Sequence, residues 1–258
     1  MLLNFFSFTI CKREIQIIEI IYLTKNLKMK NFICLLITLT TFTKAISQEL
    51  LPPLERFSTK KQGYLIKNDG TRIDFVMSDL DRKKGLIINV EGKTTDGKKF
   101  ELKADQIKEL AIPPSDFAKL SALNQSTRSI AKITRTDGRE FDRELVYFFQ
   151  EYLEDRKITA LMQLLNPEFS EKIPVYHDPF ASETMGVGVA GIQITGGIDK
   201  SFYLKIGGKT KRFFKKDYDD DFKKLFGSCP DLMKKYEDFA WRDLPRHIFY
   251  FQTECDKK

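Results

Sequence analysis

The residue types best suited to acid–base chemistry stand side by side at His177-Asp178, just before Pro179. An imidazole next to a carboxylate can hold and pass a proton near neutral pH, which is the equipment of a hydrolase. His177 and Asp178 are therefore the candidate catalytic residues. The only other histidine is His247, and no serine or cysteine sits in a recognisable nucleophile motif. An aspartate ahead of a proline also has a structural use, since its carboxylate closes a turn. The balance favours a non-catalytic protein, with an envelope hydrolase around His177 and Asp178 as the alternative.

Three further patterns imitate sites. Gly186, Gly188 and Gly191 match the spacing of a dinucleotide fingerprint, but that motif needs a strand before it and a helix after it. Here His177-Asp178-Pro179 precedes, and Ile192, Ile194 and Gly196-Gly197 follow in a strand or loop pattern, so no cofactor is expected and residues 181–200 read as a mobile glycine-rich loop. Asp217, Asp219 and Asp221 imitate calcium ligands, yet Phe222 stands where such a loop needs glycine and Ser228 replaces the closing glutamate. Acid at a helix N-terminus explains them better, and no metal is expected. Lys205, Lys209, Lys211, Arg212, Lys215 and Lys216 alternate with Phe202, Tyr203, Phe213 and Phe214, a pattern able to meet a nucleic acid or an acidic glycan. Solvated lysines on strands give the same pattern, and the aspartates at 217 and 219–221 weaken the field, so no nucleic-acid partner is expected.

Compartment follows from the N-terminal part. Met29-Lys30 opens an apolar run that closes at Lys44, and Ala45 and Ser47 suit the −3 and −1 pockets of a signal peptidase. Residues 29–47 thus read as a signal peptide, Gln48 as the first mature residue, and residues 1–28 as a mis-assigned upstream extension, with a genuine N-terminal membrane-associated helix as the rival reading. The apolar run is shorter than the ~20 residues of a spanning helix, so membrane contact is expected only during export. Removing residues 1–47 takes six cations and two anions, and the net charge falls from +7 to +3. That is too mild to mark a nucleic-acid binder. Of the four cysteines only Cys229 and Cys255 remain, a pair that an oxidising compartment favours as a disulfide over two buried thiols.

The elements that must position these residues are β-rich. Asp69-Gly70 reads as a type I′ turn that pairs Ile66 with Ile73 and Tyr64 with Phe75. Asp96-Gly97 and Asp137-Gly138 repeat the signal at unequal spacing, which makes hairpins rather than a solenoid. Strands near 63–67, 72–78, 85–91, 99–103, 130–135 and 140–149 would form a small twisted sheet or barrel. Ser115 caps a short helix carrying Phe117 and Leu120, while Ile158, Leu161, Leu164 and Leu165 fall at roughly helical spacing. Residues 173–176 and 202–206 look like strands. Three short helices close the chain. The first carries Tyr218, Phe222, Leu225 and Phe226, the second opens at Pro230, and the third runs Leu244, Ile248, Phe251, Cys255. The fold class is α+β, a body of antiparallel hairpins with a C-terminal helix cluster. Its parts are a lead-in at 48–62, a hairpin subdomain at 63–125, and a β-rich segment with glycine-rich loop and helices at 126–258.

The stretches Gln163–Phe169, Val175–Pro179, Lys200–Tyr203 and Leu225–Pro230 give the chain a likeness beyond its elements. Over most of residues 60–255 it resembles exported proteins of Bacteroidota-type bacteria that have no assigned activity. The resemblance implies export, to the periplasm, cell surface or medium, and a shared fold, with no ligand or catalytic residue to carry over. Residues 1–28 depart from the usual start of that group. The expected role is an envelope or secreted binding or structural module with a protein or glycan partner.

Overall fold

A computed structural model describes residues 49–118, 144–182, 199–236 and 239–255, with the backbone of 188–189 and 192–193. The signal-peptide segment, the strand expected at 130–135, the Asp137-Gly138 turn and most of the glycine-rich loop lie outside these residues. No helix among them is long and apolar enough to cross a membrane.

The body is a six-stranded antiparallel barrel. Its strands are β1 (Gln62–Lys67), β2 (Arg72–Lys83), β3 (Leu86–Thr94), β5 (Ile107–Ile112), β6 (Val146–Leu153) and β7 (Ile158–Gln163), and β4 (Lys99–Lys103) is an extra strand on the edge of β3. The order β2-β1-β5-β6-β7-β3 closes through β2–β3 pairing. Closure leaves no open edge among the six. The boundary expected at 125/126 falls between strands of one barrel, because β6 and β7 complete it. Leu65, Phe75, Val90, Ile107, Leu110, Ile112 and Phe148 fill the interior and are almost wholly buried.

The first hairpin differs from its expected register. Ile66 lies opposite Arg72, Leu65 opposite Ile73, Tyr64 opposite Asp74, and Gly63 opposite Phe75. Lys67 N–H bonds the Thr71 carbonyl, so three residues make the loop, and only Gly70 has a positive φ, +85°. This is a type I turn with a glycine bulge rather than a type I′ turn, and the one-residue slip sends Leu65 rather than Ile66 into the core. The true two-residue turn is Lys84-Gly85, with φ of +51° and +83°, between the paired residues Lys83 and Leu86. β2 runs past its expected end at 78 because a bulge between Met77 and Asp79 breaks its alternation without ending the ladder.

Residues 158–163 form a strand, not a helix. Leu161 faces the barrel interior while Ala160 and Met162 face a second sheet, so both faces are apolar and the two-residue period vanishes. β6 begins at Val146 and runs to Leu153, later than the expected 140–149. Its inner face carries Val146 and Phe148, its outer face Phe149, Glu151 and Leu153.

The second sheet has the order β12-β11-β8, from β8 (Val175–Tyr176), β11 (Ser201–Ile206) and β12 (Lys209–Phe214), while β9 (Gly188–Val189) and β10 (Ile192–Gln193) pair with each other. Alternation along β11 divides its duties. Phe202 and Leu204 join a core with the helices, while Tyr203 packs toward β6 and β7. The helices α1 (Tyr218–Phe226), α2 (Pro230–Lys235) and α3 (Leu244–Glu254) bear out the expected cluster. Asp219, Asp220 and Asp221 occupy the first turn of α1, where the helix dipole favours acid. Cys229 and Cys255 are joined as a disulfide with Cα atoms 5.5 Å apart, tying the start of α2 to the end of α3. The lead-in is held by contact: Leu51 N–H bonds the Leu165 carbonyl, and Leu54 N–H bonds Gln163 Oε1.

His247 sits at the centre of the helix cluster, fully buried, with rings of Phe222 and Tyr236 set edge-on at 4.9 and 4.5 Å. Its Nδ1 accepts from the Tyr218 hydroxyl at 2.7 Å, a phenol that burial keeps protonated. Burial lowers the imidazole to about 4, the Arg246 charge adding to it and Asp243 opposing. The unfolded chain then binds this proton more tightly than the folded one, so stability is complete above the ordinary histidine range and falls as pH drops through it toward 4. From pH 7 to pH 5 the expected loss is about 2 kcal/mol. His177, also lowered chiefly by burial, acts in the same direction. Urea denaturation at both pH values checks this. His247→Gln, which keeps an acceptor for Tyr218, should flatten most of the slope.

Candidate functional site

The face of β11 turned toward the barrel carries Ser201, Tyr203 and Lys205. Across the ladder, Arg212 pairs with Tyr203 and Thr210 with Lys205, which puts five polar side chains on one sheet face. Three carboxylates answer them. Glu151 on β6 accepts from the Tyr176 hydroxyl at 2.8 Å, from Lys205 Nζ at 2.9 Å and from the Thr210 hydroxyl. Asp155, in the turn after β6, accepts from the Tyr203 hydroxyl at 2.9 Å. Asp178 accepts from Ser201 Oγ at 2.5 Å and Arg212 Nε at 2.6 Å. Charge-assisted bonds of this length are among the stronger contacts a buried interface can make.

Burial sets the protonation of the phenols. Tyr203 is pushed up to about 12 by burial and by its bond to Asp155. Tyr176 is raised further, first by burial and then by the Glu151 charge, so it remains a donor at any physiological pH.

A cleft of about 440 Å³ opens along the seam where β6 meets the second sheet. Glu151 and Tyr176 line it from the β6 and β8 strands, Phe149, Leu164 and Pro174 supply apolar wall, and Lys108, Lys172 and Lys205 supply cations. The β11–β12 turn, Gly207-Gly208, forms one lip; both φ angles are positive, +56° and +79°, and no side chain covers it. The volume suits a small-molecule ligand, and the mix of apolar wall with a few polar groups is the usual lining of a binding pocket.

His177 and Asp178 are adjacent in sequence but serve different places. Asp178 is fully buried, bonded to Arg212 and Ser201, and its Oδ1 accepts the Phe180 N–H in a turn. His177 lines a separate cavity of about 50 Å³ with Leu54, Arg82, Gln163 and Pro179. Its Nδ1 has no hydrogen-bond partner among the described residues. No hydrogen bond joins the two side chains. The Gly188–Val189 and Ile192–Gln193 segments form a two-residue antiparallel ladder. Among the described residues no group of three or more histidine, cysteine or acidic side chains could hold a metal. Of the basic stripe, Lys205 and Arg212 face Glu151 and Asp178, whereas Lys209 and Lys211 are exposed.

Sequence reasoning missed Glu151. The available signal was a single carboxylate inside the strand Val146–Leu153, answered by alternate polar positions on Ser201–Ile206. No protein-family model, curated protein or solved structure matches the chain.

Proposed function

We propose that the chain is an exported binding module of the cell envelope or extracellular space, without catalysis, and that its ligand sits in the cleft above Glu151. The observation that carries the binding half is the cleft itself: an open seam of about 440 Å³ with ring walls, three lysines and a bare glycine lip. The buried Glu151 cluster fixes its floor, since Tyr176, Thr210 and Lys205 all converge on one carboxylate. The leader pattern at 29–47 and the Cys229–Cys255 disulfide support export, because such a bridge persists in an oxidising compartment.

One labelling experiment tests both halves. A membrane-impermeant amine reagent applied to the intact envelope should modify the protein, whose first residue should be Gln48 by mass spectrometry. Lys108, exposed at the cleft mouth, should react several-fold more slowly there than in purified protein. Lys93 and Lys99, exposed on the β3–β4 hairpin, should react equally in both. Unlabelled protein retaining residues 1–47 would end the export reading. Equal Lys108 rates would end the binding reading.

A further inference from the structure

The cleft's lining says which chemical class it accepts, and this step rests on the binding reading above. The lining carries Lys108, Lys172 and Lys205 against Glu151 and Glu171. Glu151 is spent: its two oxygens already accept three donors, so it offers little to a cationic ligand. Lys205 gives one of its three ammonium protons to Glu151 and is 36% exposed, and Lys108 makes no ion pair among the described residues. Lys172 is already engaged, donating to the Phe251 carbonyl at 3.2 Å. The polar reach of the cleft is therefore donor-rich, and it selects an oxyanion.

The rest of the lining selects what carries that oxyanion. Phe149 presents its half-buried ring beside Leu164 and Pro174, while Ser170 adds a polar group that can bond hydroxyls. A saccharide has both kinds of surface, C–H faces and hydroxyl edges. The uncovered lip at Gly207-Gly208 lets a sugar ring approach backbone, and a side chain there would be strained by its φ alone. We infer that the cleft binds an acidic saccharide through Lys108 and Lys205, with the sugar ring against Phe149.

Calorimetric titration of the exported protein with oligogalacturonate, with its methyl ester and with a sulfated oligosaccharide of equal length tests this. The acid should bind at least about tenfold tighter than its ester and lose affinity as salt rises, as screened charge requires. Lys108→Gln should weaken the acid about fivefold, the effect of a partly exposed ion pair, leave the ester unchanged, and be restored by Lys108→Arg. Either order of carboxylate and sulfate supports the inference and names the preferred oxyanion. Equal binding of acid and ester overturns the acidic class while leaving a saccharide cleft in place. Absence of all saccharide binding, or binding indifferent to Lys108, overturns the inference altogether; Lys108 protection in the intact envelope then still decides whether the cleft holds some other ligand.

Discussion

Replacing Asp178 with alanine is expected to cost about 3–5 kcal/mol, because it leaves a buried guanidinium without its counter-ion. Asp178 is fully buried, the Arg212 side chain is only 16% exposed, and 2.6 Å separates them. The carboxylate also accepts from Ser201 and from the Phe180 backbone, so three donors lose a partner together. Domains of this size hold about 5–15 kcal/mol in total, so the variant should sit close to unfolding. Urea denaturation measures the loss directly. Removing both charges, as Asp178→Ala with Arg212→Met, should recover much of it, since a buried pair costs most when only one partner is gone. A loss below about 1 kcal/mol would show that Arg212 finds water instead and that the seam is looser than described.

Opening the Cys229–Cys255 bridge should cost about 3–4 kcal/mol in the loop-entropy account, given a separation of 26 residues. The helices it ties carry the most aromatic core of the protein: Trp241 stacks on Phe202 at 5.5 Å, and Phe222 on Phe239 at 4.0 Å. That packing should survive reduction as a weaker but still folded cluster. The check is the denaturation midpoint with and without reductant, with Cys229→Ala/Cys255→Ala insensitive to it. An unchanged midpoint for the unsubstituted protein would mean that the bridge closes a loop already ordered in the unfolded chain.

Much of this architecture was readable because its signals are local. Asp-Gly turns, the Tyr218-Phe222-Phe226 stripe and Pro230 each act through the residues beside them. What escaped depends on a second layer. Residues 158–163 looked helical because both faces of β7 meet apolar partners, one in the barrel and one in the second sheet. The hairpin register slipped by one because Gly70 alone takes a positive φ, a detail that Asp69-Gly70 leaves open between two turn types. Asp178 closes a turn on the Phe180 N–H, a use that the following proline suggests, but its burial against Arg212 depends on a pairing across 34 residues. Glu151 was overlooked for the same reason, since its three donors come from three different strands.

The seam above Glu151 is tested most directly as a ligand site by amide NMR mapping against a panel of neutral and acidic saccharides. Saturable shifts should gather at Lys108, Gln150, Glu171, Lys205, Gly207 and Gly208, residues from four separate segments that only this cleft brings together. His177, in its own small cavity, should stay unmoved. Shifts centred on His177, or on residues 181–200 with the seam silent, would contradict the account.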